Sequence, residues 1–441
     1  MYCELQVMQK LMKNELPVFL SYGMGVESTA ILLRWLNDEV SRDFDLSRLT
    51  VITAQTGDEY DDTAEDVTRH ILPRMRDAGL RFVQVARAGH LEEDGIEVLD
   101  DTRSPFVVYH QGAYKLSDEL MLAGTVPQFG SVHTCSLKFK AWPIETWLED
   151  ELGGQPFRQF FGYNADETGR IERSEASTAL RNARDARSAP GAHRIVFGFN
   201  AEETRRIERG RQYDTPRRIS EYPLKVWGWT RDVCLEYIKQ IIGVIWKKSA
   251  CLFCPFNALK ADGIERMRSF PTRVAHALLL EHISLSMNPR GTLYRDRSLR
   301  SVVEADENTE ALSAFHELLD SREQALYRVR RIYSKKGKAD RAVERVLTGT
   351  RAEIEREFLA LSAGLVIRTA HGIKYAYEHE RAADQYPAFE SFYVQAPAAV
   401  PSKTRYGFDW FDAKWNALNP ARPTQTIGTE RAMQSSLAFA A

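Results

Sequence analysis

Residues 17–36 read PVFLSYGMGVESTAILLRWL. A short apolar run leads through two glycines, two serines and a threonine into a segment whose apolar residues recur at helical spacing. The pattern predicts a buried strand, a glycine-rich loop and a helix. A helix N-terminus presents unpaired N–H groups and the positive end of a dipole, and glycine lets a ligand approach the backbone closely, so we expect an anion site here. The candidate residues of this loop are Ser21, Gly23, Gly25, Glu27, Ser28 and Thr29.

Strand and helix patterns alternate after this loop. LTVITAQTG (49–57) and LRFVQVA (80–86) are typical of strands, and TAEDVTRHILPRMRDAG (63–79) is typical of a helix with Thr63 as its N-cap. A further helix is expected over 138–152, with Pro143 in its first turn. This order predicts an α/β fold with a doubly wound parallel sheet.

The 441 residues are too many for one ordinary domain. We expect a nucleotide-binding domain over 1–260 with a mobile insertion near 174–194, a mainly helical region over 261–395, and a weakly ordered tail over 396–441. The net charge of −2 points to no partner. We expect no signal peptide and no membrane-spanning segment, and the odd number of cysteines, five, is not that of a disulfide framework. These features predict a cytoplasmic protein.

An internal repeat follows. FGYNADETGRIER (161–173) and FGFNAEETRRIER (197–209) agree at most positions, and each is predicted to contain a strand followed by a charged turn. Two copies are too few for a solenoid. The second copy, which leads directly into the next motif, is expected to serve the active site through Arg205 or Arg206, although the choice between the copies stays open.

Six short motifs together resemble a known family. SYGMGVEST (21–29) resembles the pyrophosphate loop of the N-type ATP pyrophosphatases, or PP-loop superfamily. Five later segments are similar, in the expected order, to elements of its phosphoadenosine-phosphosulfate-reductase-like branch. They are TGDEYDDT (56–63), HTCSLKFKAWP (133–143), GFNAEETRRIER (198–209), EYPLKVWGWTRDVCLEYI (221–238) and KSACLFCPF (248–256). The resemblance covers about residues 17–260 and implies an adenine nucleotide alpha hydrolase-like, Rossmann-like fold.

The resemblance also implies a reaction. ATP and Mg²⁺ would bind at the loop, a substrate oxygen would be adenylated, and pyrophosphate would leave. The residues implied for ATP binding are Ser21, Gly23, Gly25, Ser28, Thr29, Thr56, Gly57 and Glu59, with Asp58, Asp61 and Asp62 as further acidic candidates for Mg²⁺ or the ribose. Those implied for catalysis are Glu27, Ser28, Lys138 and Arg205.

Three cysteines are candidate metal ligands. Cys251 and Cys254 form a C-x-x-C pair, and Cys135 lies in one of the family elements. Such thiols can hold a [4Fe–4S] cluster or zinc, or can be buried and bind nothing. A cluster is the preferred interpretation, with Cys234 or His133 as a possible fourth ligand.

The cysteines also bear on the choice of function. The sulfonucleotide reductases of this branch use a cysteine near the C-terminus, whereas no cysteine follows Cys254 here. The preferred hypothesis is therefore the ATPase and sulfurtransferase component of a DNA phosphorothioation system, with a cysteine desulfurase and other modification proteins as partners. The alternatives are a tRNA thiolation enzyme, a phosphoadenosine phosphosulfate reductase, and a non-catalytic nucleotide-sensing DNA-binding component. The basic segment RVRRIYSKKGKADR (328–341) is a candidate for contact with DNA or tRNA phosphates.

Overall fold

The computed structural model describes residues 15–127, 134–153, 155, 157–162, 195–198, 223–256, 261–295, 297–335, 338–382 and 385–418. The chain forms two compact units. The first contains Met1–Ser117 and Gly130–Leu252, and the second contains Asp118–Phe129 and Phe253–Ala441. Among the helices of these ranges, none has the length and apolar character needed to cross a lipid bilayer.

The first unit is built on a mixed six-stranded sheet. Its strands are β1 (Val18–Ser21), β2 (Leu49–Gln55), β3 (Arg81–Arg87), β4 (Ile96–Thr102), β5 (Arg158–Gly162) and β6 (Ile195–Gly198). Their order is β4-β3-β2-β1-β5-β6, and all neighbours are parallel except the antiparallel pair β3 and β4. The helices are α1 (Val26–Asn37), α2 (Asp61–His70), α3 (Leu72–Asp77), α4 (Leu116–Ala123), α5 (Trp142–Leu152), α6 (Pro223–Val226) and α7 (Arg231–Ile242). Helix α4 ends in the second unit.

Both faces of this sheet are covered, so its central strands are nearly continuous apolar runs. Successive side chains of a strand point to opposite faces. Leu20 therefore packs in the cluster that contains Ile31 of α1, whereas Phe19 packs in the cluster that contains Trp147 and Leu148 of α5. The arrangement is that of an α/β unit.

The structure confirms the three predicted strands, and Pro143 lies at the start of α5 as expected. The predicted cap of the second helix is wrong. Helix α2 begins at Asp61, with Tyr60 at the N-cap, and Thr63 lies inside its first turn. The two acidic residues before Thr63 suit the positive end of the helix dipole, which explains the earlier start. The proposed insertion near 174–194 lies outside the described residues.

The second unit contains a second six-stranded sheet. Its strands are β7 (Gln324–Lys335), β8 (Lys338–Gly349), β9 (Val366–Ala370), β10 (Ile373–His379), β11 (Ala388–Pro397) and β12 (Lys403–Thr404), all paired antiparallel in the order β12-β8-β7-β11-β10-β9. Its helices are α8 (Ala261–Ser269), α9 (Pro271–Met287), α10 (Leu299–Ala305), α11 (Thr309–Asp320), α12 (Arg351–Leu361) and α13 (Phe408–Leu418).

The C-terminal region thus differs from the expectation. Helices fill 261–320 as expected, but most of 324–404 is sheet rather than helix. Residues 396–418, expected to be weakly ordered, end β11 and form β12 and α13, and α13 buries Phe411 and Trp415. Residues 419–441 lie outside the part of the chain that the structure describes.

Three arginines of the basic segment 328–341 do not lie on an exposed surface. Arg328, Arg330 and Arg331 lie in the central strand β7, and Arg330 and Arg331 are almost fully buried. Each pairs with carboxylates at 2.6–2.8 Å: Arg328 with Glu378, Arg330 with Glu344 and Asp412, and Arg331 with Glu390. These three arginines form internal ion pairs instead of the expected phosphate contacts, because charges in a strand covered on both faces must be neutralised. Lys335 at the end of β7 is exposed.

The second unit contains a titratable group that affects stability. His282 of α9 is half-buried, and burial, with smaller contributions from Arg300 and Arg351, lowers its pKa from the usual 6.5 to about 4. The unfolded chain therefore binds a proton there before the folded one does. We expect the free energy of unfolding to fall by about 2 kcal/mol between about pH 7 and pH 5 from this group. Denaturant titrations at both pH values check this, and His282→Gln should remove that part of the loss; an equal loss in the variant would contradict it.

Candidate active site

The glycine-rich loop joins β1 to α1 at the carboxyl edge of the parallel strands. Ser21 ends β1, and its Oγ accepts a hydrogen bond from Gln159 Nε2 of the neighbouring β5 at 2.8 Å. Met24 adopts a left-handed backbone conformation with φ of 57°. Gly25 is the N-cap of α1, and no side chain caps this end of the helix.

An extended segment, residues 246–252, crosses this loop; we call it the strap. Trp246 donates its Nε1–H to the carbonyl of Met24 at 3.0 Å, and Ser249 donates its hydroxyl to the carbonyl of Gly23 at 2.8 Å. In a planar trans peptide the N–H points opposite to the C=O. Because both carbonyls face the strap, the N–H groups of Met24 and Gly25 face away from it.

The two glycines of the loop border open space. A β-carbon added to Gly23 would meet nothing within 4 Å, and one added to Gly25 would meet only Glu27 Oε2, at 4.0 Å. Neither residue has a positive φ, so backbone strain does not require glycine at these positions. What glycine provides here is free access to the backbone.

The hydroxyl groups of the loop have partners within the protein. The Ser28 hydroxyl donates to the carbonyl of Gly25 at 3.3 Å, and Thr29 Oγ1 lies 3.1 Å from the hydroxyl of Tyr22. Thr29 is completely buried. The backbone of the loop, rather than these hydroxyls, therefore faces open space.

Glu27 is also buried, and its Oε1 accepts a hydrogen bond from Arg231 Nη1 at 2.8 Å. Burial raises the pKa of Glu27, while Arg231 and then Lys248 act in the opposite direction. Arg231 is the first residue of α7, and sequence analysis did not select it. The result is a cation held beside the loop by a loop carboxylate.

Residues 56–60 follow β2 and contact the other end of the strap. Leu252 donates its backbone N–H to the carbonyl of Asp58 at 2.9 Å, and Glu59 and Cys251 form an isolated antiparallel bridge. Gly57 has a φ of +83°, and a β-carbon there would overlap the side chain of Lys115. Gly57 is thus a structural glycine, unlike the two in the loop.

The lysine beside Glu59 is Lys140, which lies two residues after the candidate phosphate partner Lys138. Glu59 accepts a hydrogen bond from Lys140, and its Oε2 lies 3.1 Å from Ser249 Oγ, whose single proton is shared between Glu59 and the carbonyl of Gly23. Burial disfavours the charge of Lys140, but Glu59, then Cys251 and Cys135, raise its pKa above the ordinary value. Lys138 is exposed on the same turn, Leu137–Ala141, which is π-helical.

The candidate ligands are only partly brought together. Cys251 Sγ lies 3.5 Å from Thr56 Oγ1, and burial followed by the Glu59 charge raises the pKa of this thiol well above its usual range. Cys135 is half-buried, and Cys254 belongs to the second unit. Among the residues that the structure describes, no three His, Cys, Asp or Glu side chains are grouped as a metal site.

The two candidates for a fourth metal ligand are Cys234 and His133. Cys234 is buried in the apolar cluster that contains α1 and α7, and burial raises its pKa to about 12. His133 lies outside the described residues. The expected set of three or four thiolates is therefore not assembled in the described part of the chain.

The acidic candidates for Mg²⁺ each have a protein partner. Asp58 Oδ2 accepts the backbone N–H of Ser117 at 2.7 Å. Asp62 pairs with Lys247 at 2.9 Å, and Asp61 lies 3.4 Å from His110 Nδ1.

The two repeat copies follow adjacent strands. Phe161 and Gly162 of β5 pair in register with Phe197 and Gly198 of β6. The strand of the first copy pairs directly with β1, whereas that of the second copy is one strand further away. Arg205 and the remainder of both copies lie outside the described residues.

Comparison of the chain with protein-family models, curated proteins and solved structures gives no match.

Proposed function

We propose that the first unit is an ATP pyrophosphatase of the adenine nucleotide alpha hydrolase-like, doubly wound type. ATP would be cleaved to AMP and pyrophosphate as a substrate oxygen is adenylated for sulfur transfer. The observation that carries the proposal is the outward direction of the Met24 and Gly25 N–H groups beside the uncapped N-terminus of α1. Successive N–H groups of this kind, at the positive end of a helix, favour a polyphosphate.

The strand order supports the same location. The chain proceeds from β1 through β2 to β3 on one side and then returns to β5 on the other side of β1. In open α/β sheets, ligands bind at the carboxyl ends of the strands where the order reverses in this way. The loop lies at this position, and the Ser21–Gln159 hydrogen bond joins β1 to β5 there.

Charge supplied by the protein would favour departure of pyrophosphate. The backbone donors of the loop would stabilise the negative charge that develops as the bond between the α- and β-phosphates breaks. Arg231, positioned by Glu27, and the nearby Lys248 would add positive charge beside the loop. Mg²⁺ bound with ATP would neutralise the phosphates further, and the acidic candidates for it follow β2: Asp58, Glu59, Asp61 and Asp62.

We assign sulfur transfer to the C-terminal end of the strap, which contains Cys251. Cys251 and Cys135 both interact with Lys140, which pairs with Glu59. Cys135, Cys251 and Cys254 would be the ligands of a [4Fe–4S] cluster, with zinc as the alternative, and the bound group would supply the sulfur-transfer chemistry. DNA phosphorothioate modification remains the preferred process, with tRNA thiolation as the alternative.

The products of ATP turnover test the proposal. The purified full-length chain is incubated anaerobically with ATP and Mg²⁺, with and without single-stranded and duplex DNA. AMP and pyrophosphate are the expected products, whereas ADP and phosphate, or no turnover under any condition, would contradict it. Mass spectrometry of phosphorothioate dinucleotides from host DNA, with and without the protein, tests the process.

Cys251→Ser tests the metal. After anaerobic purification we expect the variant to lose most of its iron and acid-labile sulfide while still binding ATP, because the loop does not use this thiol. Cys234→Ser is the matched control and should retain both, since Cys234 is buried in the apolar cluster. Full iron in Cys251→Ser would exclude the thiol as a ligand.

A further inference from the structure

A second candidate site lies in the second unit, far along the chain from the loop. A cavity of about 310 Å³ is lined by Ser334, Asp340, Tyr406, Trp410 and Lys414. Its residues come from the end of β7, the start of β8, and the segment that leads from β12 into α13. Small-molecule sites begin at about this volume.

Two large aromatic rings at this cavity are exposed without serving the core. Tyr406 is 53% exposed and Trp410 is 39% exposed, and their ring centroids lie 4.7 Å apart in an edge arrangement. The same helix meets the sheet through Phe411 and Trp415, which are buried. The core therefore does not account for the exposed pair, and exposed aromatic surface of this kind often marks a binding site.

Two cations lie close to the rings. The guanidinium of Arg405 lies 5.0 Å from the Tyr406 ring centroid, and the Lys414 ammonium lies 4.9 Å from that of Trp410. Lys414 also donates to Asp340 at 2.6 Å, which neutralises it in part, while Arg405 is exposed. A cationic ligand such as a methylated lysine is disfavoured because Lys414 already lies over the indole ring.

We propose that this cavity binds an unpaired nucleobase of a single-stranded nucleic acid. A base would stack on Trp410 or Tyr406, its polar edge would meet Asp340 and Ser334, and Arg405 would contact the adjacent phosphate. Stacking on aromatic side chains beside cations is the common mode of single-strand binding. The inference deepens the proposed function by giving the nucleic-acid substrate a docking site, and in its choice of ligand it rests on that function.

Fluorescence anisotropy of a labelled short oligothymidylate with the full-length chain tests the site at low salt, with no ATP present. Trp410→Ala and Tyr406→Ala are each expected to weaken binding about tenfold, as loss of one stacking contact does, while Trp410→Phe retains most of it. Tyr109→Ala is the control, because Tyr109 is 42% exposed but belongs to the first unit. Thermal unfolding confirms that each variant folds.

Three probes identify the source of the base: single-stranded DNA, single-stranded RNA and duplex DNA. Trp410-dependent binding to either single strand supports the site. Duplex binding that is tighter than single-strand binding, or equal binding by the wild type and both alanine variants, overturns it, as does failure of the wild type to bind any single strand. ATP cleavage is assayed in parallel, so its absence alongside Trp410-dependent binding would contradict the proposed enzyme and not this site.

Discussion

Gly25→Ala is expected to reduce pyrophosphate release from ATP by about a hundredfold or more, because a methyl group would stand where the phosphates approach the backbone. The folded protein without bound ATP should tolerate the Gly25→Ala substitution. The added β-carbon meets no atom closer than 4.0 Å, and φ is −82°. The free energy of unfolding should fall by no more than about 1 kcal/mol, the penalty for alanine at an N-cap. Pyrophosphate release and denaturant titration measure the two effects separately.

Gly57→Ala is the matched control for this prediction. Its φ of +83° and the overlap with Lys115 require a shift of the folded structure. A loss of about 1–2 kcal/mol in the free energy of unfolding is expected from the left-handed backbone alone. If Gly25→Ala released pyrophosphate at the wild-type rate, the loop would have no part in ATP cleavage.

Lys140→Met is expected to have the second large effect. Glu59 would keep its carboxylate, which is 9% exposed, without the cation that neutralises it, and Cys251 would lose the nearby positive charge. We expect sulfur transfer to fall by about a hundredfold or more, as for the loss of one preorganised charge in an active site. Product formation under anaerobic single-turnover conditions measures this.

Lys138→Met is the control, since it removes a lysine from the same turn but from an exposed position. Its sulfur-transfer activity should fall less than that of Lys140→Met, because solvent screens an exposed charge more than a buried one. Equal losses in the two variants would contradict the assignment of Lys140. The double variant Glu59→Gln, Lys140→Met should have a higher free energy of unfolding than Lys140→Met alone, because it removes the uncompensated carboxylate. Its sulfur-transfer activity should stay low.

The parts of the fold that could be predicted are those in which neighbouring residues decide the structure. The strands β1, β2 and β3 are short, mostly apolar segments rich in β-branched and aromatic residues, and the loop between β1 and α1 joins a strand pattern to a helical one. The sheet of the second unit could not be predicted in the same way. The inward positions of β7 include Arg328, Arg330 and Arg331, whose neutralising carboxylates come in part from β10 and β11, about fifty residues later.

The site shows a similar division. The residues of the loop and of 56–59 were predictable because each follows a recognisable strand. The pairing of Lys140 with Glu59 could not be predicted, because Lys140 lies on the π-helical turn and its partner is far away in the sequence. The role of Ser249 also depends on long-range contacts, since its partners are Gly23 and Glu59, about two hundred residues earlier.

The strap has a consequence for tolerance to changes in chain length. Trp246 and Ser249 hold two successive carbonyls of the loop, and Cys251 is paired with Glu59 only two residues later. Insertion or deletion of one residue between 246 and 251 would break either the hydrogen bonds to the loop carbonyls or the pairing of Cys251 with Glu59. The number of residues between the attachments to the glycine-rich loop and the Cys251 thiol is thus fixed, so the positions of the loop and of the thiol cannot change independently.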